Sequence, residues 1–108
     1  MANHYQIVGD SVQQATSGAG VVTLAVPNDS SGKTAQFVRV AILSAAAGLD
    51  GLFATDPGDG AAPLANQMAF LHAADSQIVY TGGSASIYLA RSGGTDVTFS
   101  VTPVQPQR

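Results

Sequence analysis

The sequence predicts an all-β domain, a single jelly-roll-like β-sandwich of about seven to nine strands. Three observations lead there. Val97, Phe99 and Val101 alternate with Thr98, Ser100 and Thr102, the two-residue period of a strand with one buried face. The same alternation recurs at Val38, Val40 and Ile42, with Arg39 on the other face. Turn-forming clusters of Gly, Pro and Asp separate the apolar runs at intervals of about 8–12 residues, as short strands joined by turns require.

Taken in order, residues 1–8 form an extended N-terminal segment whose His4–Val8 portion is a first strand, ended by Gly9-Asp10. Residues 11–16 extend again until Ser17-Gly-Ala-Gly20 breaks them. Val21–Val26 is a strand stopped at Pro27, which has no N–H for a ladder. A polar loop, Asn28–Lys33, leads to the strongest strand, Ala35–Leu43. Ser44-Ala-Ala-Ala-Gly48 is too short to stand alone as a helix and reads as a loop or bend. At most a helical turn is expected there or at 64–67. Leu49–Thr55 is another strand, and Asp56–Pro63 is the longest loop signal. Leu64–Ala74 carries helical spacing at Leu64, Gln67, Met68 and Leu71, but also strand alternation at Met68, Phe70 and His72; its β neighbours favour the strand. Ser76–Thr81 and Ser84–Arg91 read as a hairpin about Gly82-Gly83. Asp96–Thr102 is the last strand, ended by Pro103 and Pro106, with 103–108 as a tail.

One domain of 108 residues buries only about two-thirds of its unfolded surface, so oligomerisation or docking would add stability. Phe37, Phe53, Phe70, Phe99 and the three tyrosines are expected to supply the bulk of a thin core. All seven acidic residues are Asp, and Lys33 is the single lysine, which removes the straight-chain residues that cover exposed helices. Four scattered cations and a net charge of −3 argue against a nucleic-acid surface. With no cysteine there is no disulfide scaffold, thiol chemistry or thiolate zinc site, which fits a reducing cytosol. The N-terminus does not read as a signal peptide, and no apolar run reaches the roughly 18–20 residues of a membrane span.

The motifs that suggest chemistry fail on spacing. Ser31-Gly-Lys-Thr34 has the end of a phosphate loop but Pro27 where its first glycine belongs, and a strand follows instead of a helix. Asp50, Asp56 and Asp59 supply oxygen ligands without the calcium-loop spacing. His72 and Asp75 lack a nucleophile elbow around any serine, and Asn28-Asp-Ser30 is an unused glycosylation acceptor. No catalytic, metal or cofactor residue is therefore assigned. Tyr80 and Tyr88, read as neighbours on one hairpin, pack across strands or anchor an interface.

The runs Gln36–Ile42, Leu52–Pro57, Ser76–Tyr80, Ile87–Arg91 and Asp96–Thr102 together resemble small virion proteins of tailed bacteriophages. Those proteins carry a Phe/Tyr-Val-Arg-Val/Ile strand, a Phe-Gly-Thr-x-Pro-like turn, an apolar strand and a closing Val/Leu-Ser-Val-Thr strand. The likeness spans about residues 35–103 and is one of strand pattern; Ala54 stands where Gly is usual, and Asp56–Gly60 lengthens the turn. It implies a non-enzymatic virion part made in the host cytoplasm: a capsid decoration (cement) protein, a head-fibre base or a head–tail component. The expected partners are the major capsid protein or another virion protein, and further copies of the chain as a dimer or trimer. With so little charge, attachment is expected through apolar and backbone contacts of the termini and exposed aromatics, with Tyr5, Ile7, Tyr80, Tyr88 and Val104 as the contact residues. The rival reading is a carbohydrate- or ligand-binding β-module, with Tyr80 or Tyr88 as a stacking platform and the Asp50–Asp59 loop as a hydroxyl or ion site. An enzyme built on His72, Asp75 and a serine comes third.

Overall fold

The chain pairs as if folded in half and then rolled. In the computed structural model, described for residues 5–18, 20–43, 50–55, 68–73 and 75–106, nine strands follow one another: β1 Tyr5–Ile7, β2 Val12–Ala15, β3 Val22–Ala25, β4 Phe37–Ile42, β5 Gly51–Thr55, β6 Ala69–Leu71, β7 Ser76–Tyr80, β8 Ser86–Arg91 and β9 Thr98–Pro106. Both β1 and β2 pair with β9, β3 with β8, β4 with β7 and β5 with β6, all antiparallel. Rolling this long hairpin adds the β4–β9 and β5–β8 pairs and makes two sheets. The first sheet has the order β1-β9-β4-β7, with β2 continuing β1 along β9, and the second is β3-β8-β5-β6. With β1 and β2 counted as one interrupted strand, this is the eight-strand jelly-roll connection.

The interruption has a local cause. Between the Ile7↔Val104 and Val12↔Val101 pairs, residues 8–11 face only residues 102–103, a bulge. Pro103 sits at that place. Its carbonyl accepts the Val8 N–H at 3.0 Å, so its nitrogen also faces β1 and β2 and not β4. The missing proline donor therefore falls at the bulge, where no regular ladder bond is lost. Gly9 lies against this ring: a Cβ there would come within 2.8 Å of both Pro103 Cγ and the Asn28 carbonyl oxygen. The expectation that Pro103 ends the last strand is thus corrected. β9 runs on to Pro106, and Val104, Gln105 and Pro106 pair with β1.

Val38, Val40 and Ile42 of β4 and Phe99, Val101 and Pro103 of β9 face inward, meeting Leu24, Phe53, Leu71, Ile87 and Leu89 of the second sheet. The expected core alternation on β4 and β9 holds. The aromatic core is smaller than expected: Phe53, Phe99 and Tyr88 are buried, whereas Tyr5, Phe70 and Tyr80 are exposed. On β6 the strand alternative holds, with Leu71 as its buried residue. At Gly51 the two sheets approach closely, because a Cβ there would overlap the edge of the Phe99 ring. The helical turns expected at 44–48 or 64–67 lie outside the described residues.

A second correction concerns the turn at 81–84. Ser84 N–H donates to the Thr81 carbonyl at 3.1 Å, and Gly82 and Gly83 both have positive φ (65° and 81°), as a two-residue hairpin turn requires. Yet β7 and β8 belong to different sheets. The buried Thr81 is tied to β4's approach, its N–H donating to Gln36 and its hydroxyl to the Ala35 carbonyl. β8 is buried on both faces from Ile87 to Ala90, so it needs a neighbour on each side. It takes β3 and β5, while the more polar β7 lies at an edge.

A polar junction at the other end joins both sheets. Asp96 Oδ1 accepts from Thr16 Oγ1 (3.1 Å), Gly18 N (3.0 Å) and Arg91 Nη1 (3.2 Å), and Thr16 Oγ1 in turn accepts the Val97 N–H at 3.0 Å. Thr16 follows β2 in the first sheet and Arg91 closes β8 in the second.

The Gly51–Phe99 approach makes a double-mutant test. Gly51→Ala should cost about 1–3 kcal/mol by overpacking. In a Phe99→Leu background the added methyl finds space, so the same change should cost clearly less. Urea unfolding of the four proteins measures the difference.

Candidate docking face

The pairing registers carry one row of side chains straight across the outer face of the first sheet. Ile7 pairs with Val104, Val104 with Phe37, and Phe37 with Tyr80, so four strands contribute one residue each. Directly paired residues point to the same face. At about 4.8 Å per strand the row spans roughly 14 Å. Its rings are in contact: Phe37 lies 5.0 Å from Tyr80 and 5.9 Å from Tyr5, centroid to centroid, both tilted at 56°. Such pairs add roughly 0.5–1.5 kcal/mol beyond area burial.

The row is apolar and open. Ile7 is 64% exposed, Tyr80 61% and Tyr5 37%, while Val104 between them is buried. The next row is Thr102, Arg39 and Ile78. Among the described strand residues of this face, Arg39 is the only charged side chain. Covering the face would therefore remove few ions from water.

Of the contact residues expected from sequence, Tyr5, Ile7, Tyr80 and Val104 are brought together here. Tyr88 is not. It lies in the second sheet between Thr23 and Ala54 and is only 8% exposed, because the turn at 81–84 leads into the other sheet instead of back along β7. Phe37, the centre of the ring cluster, was read from sequence as core. Its position two residues before Arg39 in the Phe-Val-Arg-Val alternation is the wrong parity for Phe37 to join Val38 and Val40, and the available signal is that Phe37 shares Arg39's face.

Beside the row lies a cleft of about 710 Å³, lined by Gln6, Lys33, Gln36, Phe37 and Gln105 among others. Its wall is the loop Asn28–Thr34, closed by a single bridge between those two residues. The Asp29 carboxylate organises the loop, accepting from Ser31 N (2.9 Å), Ser31 Oγ (2.6 Å) and Lys33 N (3.2 Å). The amides that a phosphate would need here are thus already bonded to a carboxylate. The Ser31 hydroxyl first, and the Lys33 N–H with it, hold the Asp29 pKa below its usual 3.8.

Elsewhere, Asp50 Oδ1 accepts the Ala73 N–H at 2.8 Å and lies 3.8 Å from His72 Nδ1, whose exposed ring meets Phe70 edge-on at 4.7 Å. The Asp75 backbone N–H donates to the His72 carbonyl at 3.1 Å, and the carboxylate nearest the imidazole among the described residues is that of Asp50. Asp56 and Asp59 lie outside the described residues. Among the described residues no group of three metal-ligating side chains occurs. Comparison with protein families, curated proteins and solved structures finds no match to the chain.

Because the folded-state pKa of Asp29 is depressed, its carboxylate supports the loop at neutral pH. That support is lost as pH falls below 3.8 and through the folded-state value. In an NMR titration the Ser31 and Lys33 amide shifts should move together with a midpoint below 3.8, and Asp29→Asn should abolish the step.

Proposed function

We propose that this chain is a non-enzymatic structural protein of a tailed-phage virion, a decoration or cement protein that seats the Ile7–Val104–Phe37–Tyr80 row on the capsid shell. The observation that supports this reading is the row itself: a contiguous, nearly uncharged aromatic and aliphatic surface on an outer sheet face. The strand-pattern resemblance to small virion proteins adds to it, and the jelly roll is a fold that capsid domains use, although a fold alone does not assign a function. The partner in this reading is the major capsid protein or a neighbouring virion protein, and the place of action is the particle.

A surface of this chemistry holds by apolar burial, which high salt leaves intact or strengthens while it screens charge pairs. Virions purified from the phage that encodes the sequence should contain the protein by mass spectrometry and keep it at about 1 M salt. Ile7→Glu puts a charge at the exposed end of the row and should lower occupancy on shells at least tenfold, with an unchanged circular dichroism spectrum. Absence from particles, or release by salt alone, rejects the reading.

The rival reading has an observation of its own. The cleft is rich in neutral amides from Gln6, Gln36 and Gln105 and shares Phe37 with the aromatic cluster, a combination suited to sugar hydroxyls and a sugar face. Glycan binding that is lost in Gln36→Ala and Phe37→Ala, together with no affinity for shells, is the outcome that would favour it.

A further inference from the structure

The sheet edges of this sandwich are not equally protected. The β1–β2 edge is broken by the bulge at residues 8–11, β6 is only three residues long, and β3 runs for four. β7 is different: Ser76-Gln-Ile-Val-Tyr80 forms five consecutive pairs with β4 without a bulge, and it carries no charge and no proline. Natural edge strands normally bear such features to prevent association. Among the described residues nothing pairs with its outer side.

The backbone polarity of that outer side follows from two bonds. Ile42 N–H donates to the Asp75 carbonyl and Thr81 N–H donates to the Gln36 carbonyl. Odd-numbered residues of β7 therefore turn their polar groups to β4. The N–H and C=O groups of Ser76, Ile78 and Tyr80 point away from the molecule.

We propose that β7 is a homodimer interface, in which a second copy adds its own β7 antiparallel about a two-fold axis at Ile78. The pattern is self-complementary. Ile78 faces Ile78 of the second copy and Ser76 faces Tyr80, so every outward-pointing residue meets another and the pairs can form roughly six N–H···O bonds. The side chains agree with this register. Ser76, Ile78 and Tyr80 share the outer face, which puts the exposed Tyr80 ring beside the second copy's Ser76 and Ile78 and extends the apolar row across the joint. Charges do not oppose it. The two Asp75 residues fall at opposite ends, and the two Arg39 residues, each one strand inward from Ile78, stand about 14 Å apart, beyond the roughly 8 Å screening length at physiological salt.

The absence of cysteine from the chain allows a direct test. Sedimentation of the wild type should give twice the 10.9 kDa chain mass. Ile78→Cys should oxidise to a covalent dimer, because directly paired Cα atoms lie about 5.5 Å apart, within disulfide reach. Ser76→Cys should not, because its two copies stand roughly 13 Å apart along the strands. Ile78→Lys should be monomeric with an unchanged circular dichroism spectrum, since the Ile78 N–H takes no part in the ladder with β4. A wild-type monomer at all concentrations, a trimer, a dimer that survives Ile78→Lys, or cross-linking of Ser76→Cys as fast as that of Ile78→Cys would each overturn the proposal. None of these outcomes depends on whether the protein is found on particles.

Discussion

The six-pair register between β4 and β9, from Phe37↔Val104 to Ile42↔Phe99, decides the chemistry of both faces of the first sheet. With Val40 opposite Val101, all the aliphatic bulk of β4 joins Phe99, Val101 and Pro103 on the inner side. The same register leaves Phe37 and Val104 outside and adjacent. A slip by one residue would send Arg39 into the core and Val38 into water, so the burial of Val38, Val40, Ile42, Phe99 and Val101 enforces the register strongly. The outer row is a consequence of that enforcement: once the inner faces are fixed, Ile7 and Tyr80 are carried into line by their own pairings with β9 and β4. Core and candidate docking face are thus two sides of one constraint.

The nine strands were legible in the sequence because each carries its own alternation or breaker. Connections were less so. Thr81-Gly-Gly-Ser84 has hairpin chemistry and does form the tight turn, but turn chemistry reports only four residues. Which strands then pair is a long-range matter, settled by the two-sided apolar run Ile87–Ala90, which needs central placement. Pro103 misled in the opposite way. A proline stops a strand when its nitrogen faces a partner, and here it faces a bulge whose position depends on residues almost a hundred positions away. Local reading cannot see that coincidence.

The candidate face divides along the same line. Tyr5, Ile7, Tyr80 and Val104 could be chosen from sequence as apolar residues near chain ends and turns, but their convergence on one row is a property of register alone. Tyr88 failed for the reason the hairpin failed. The Thr16–Asp96–Arg91 junction gave no sequence signal, since an exposed-looking Asp after two glycines and a lone Thr after β2 are separated by some eighty residues. Its role is structural: one carboxylate oxygen ties the end of β2, the end of β8 and the start of β9, closing the sandwich opposite the aromatic row.

Charge placement separates the parts of the surface that repel association from those that permit it. Asp10 lies in the bulge that interrupts the β1–β2 edge, the Asp29 carboxylate is held within its own loop, and Arg91 and Asp96 neutralise each other at the far end. What this leaves nearly free of ions is a continuous region from Ile7 across the sheet to Tyr80 and around to the open side of β7. A small domain with a thin aliphatic core has little stability to spend on exposing apolar surface and unpaired strand. A monomer in water would carry both liabilities on the same sheet. Covering the face by one partner and the edge by another would relieve each separately, with backbone hydrogen bonds at the edge and aromatic contact on the face. These two kinds of contact respond differently to substitution: Ile7, at the far end of the row, touches the face without touching β7, and Ile78 lies on the open edge without belonging to the row.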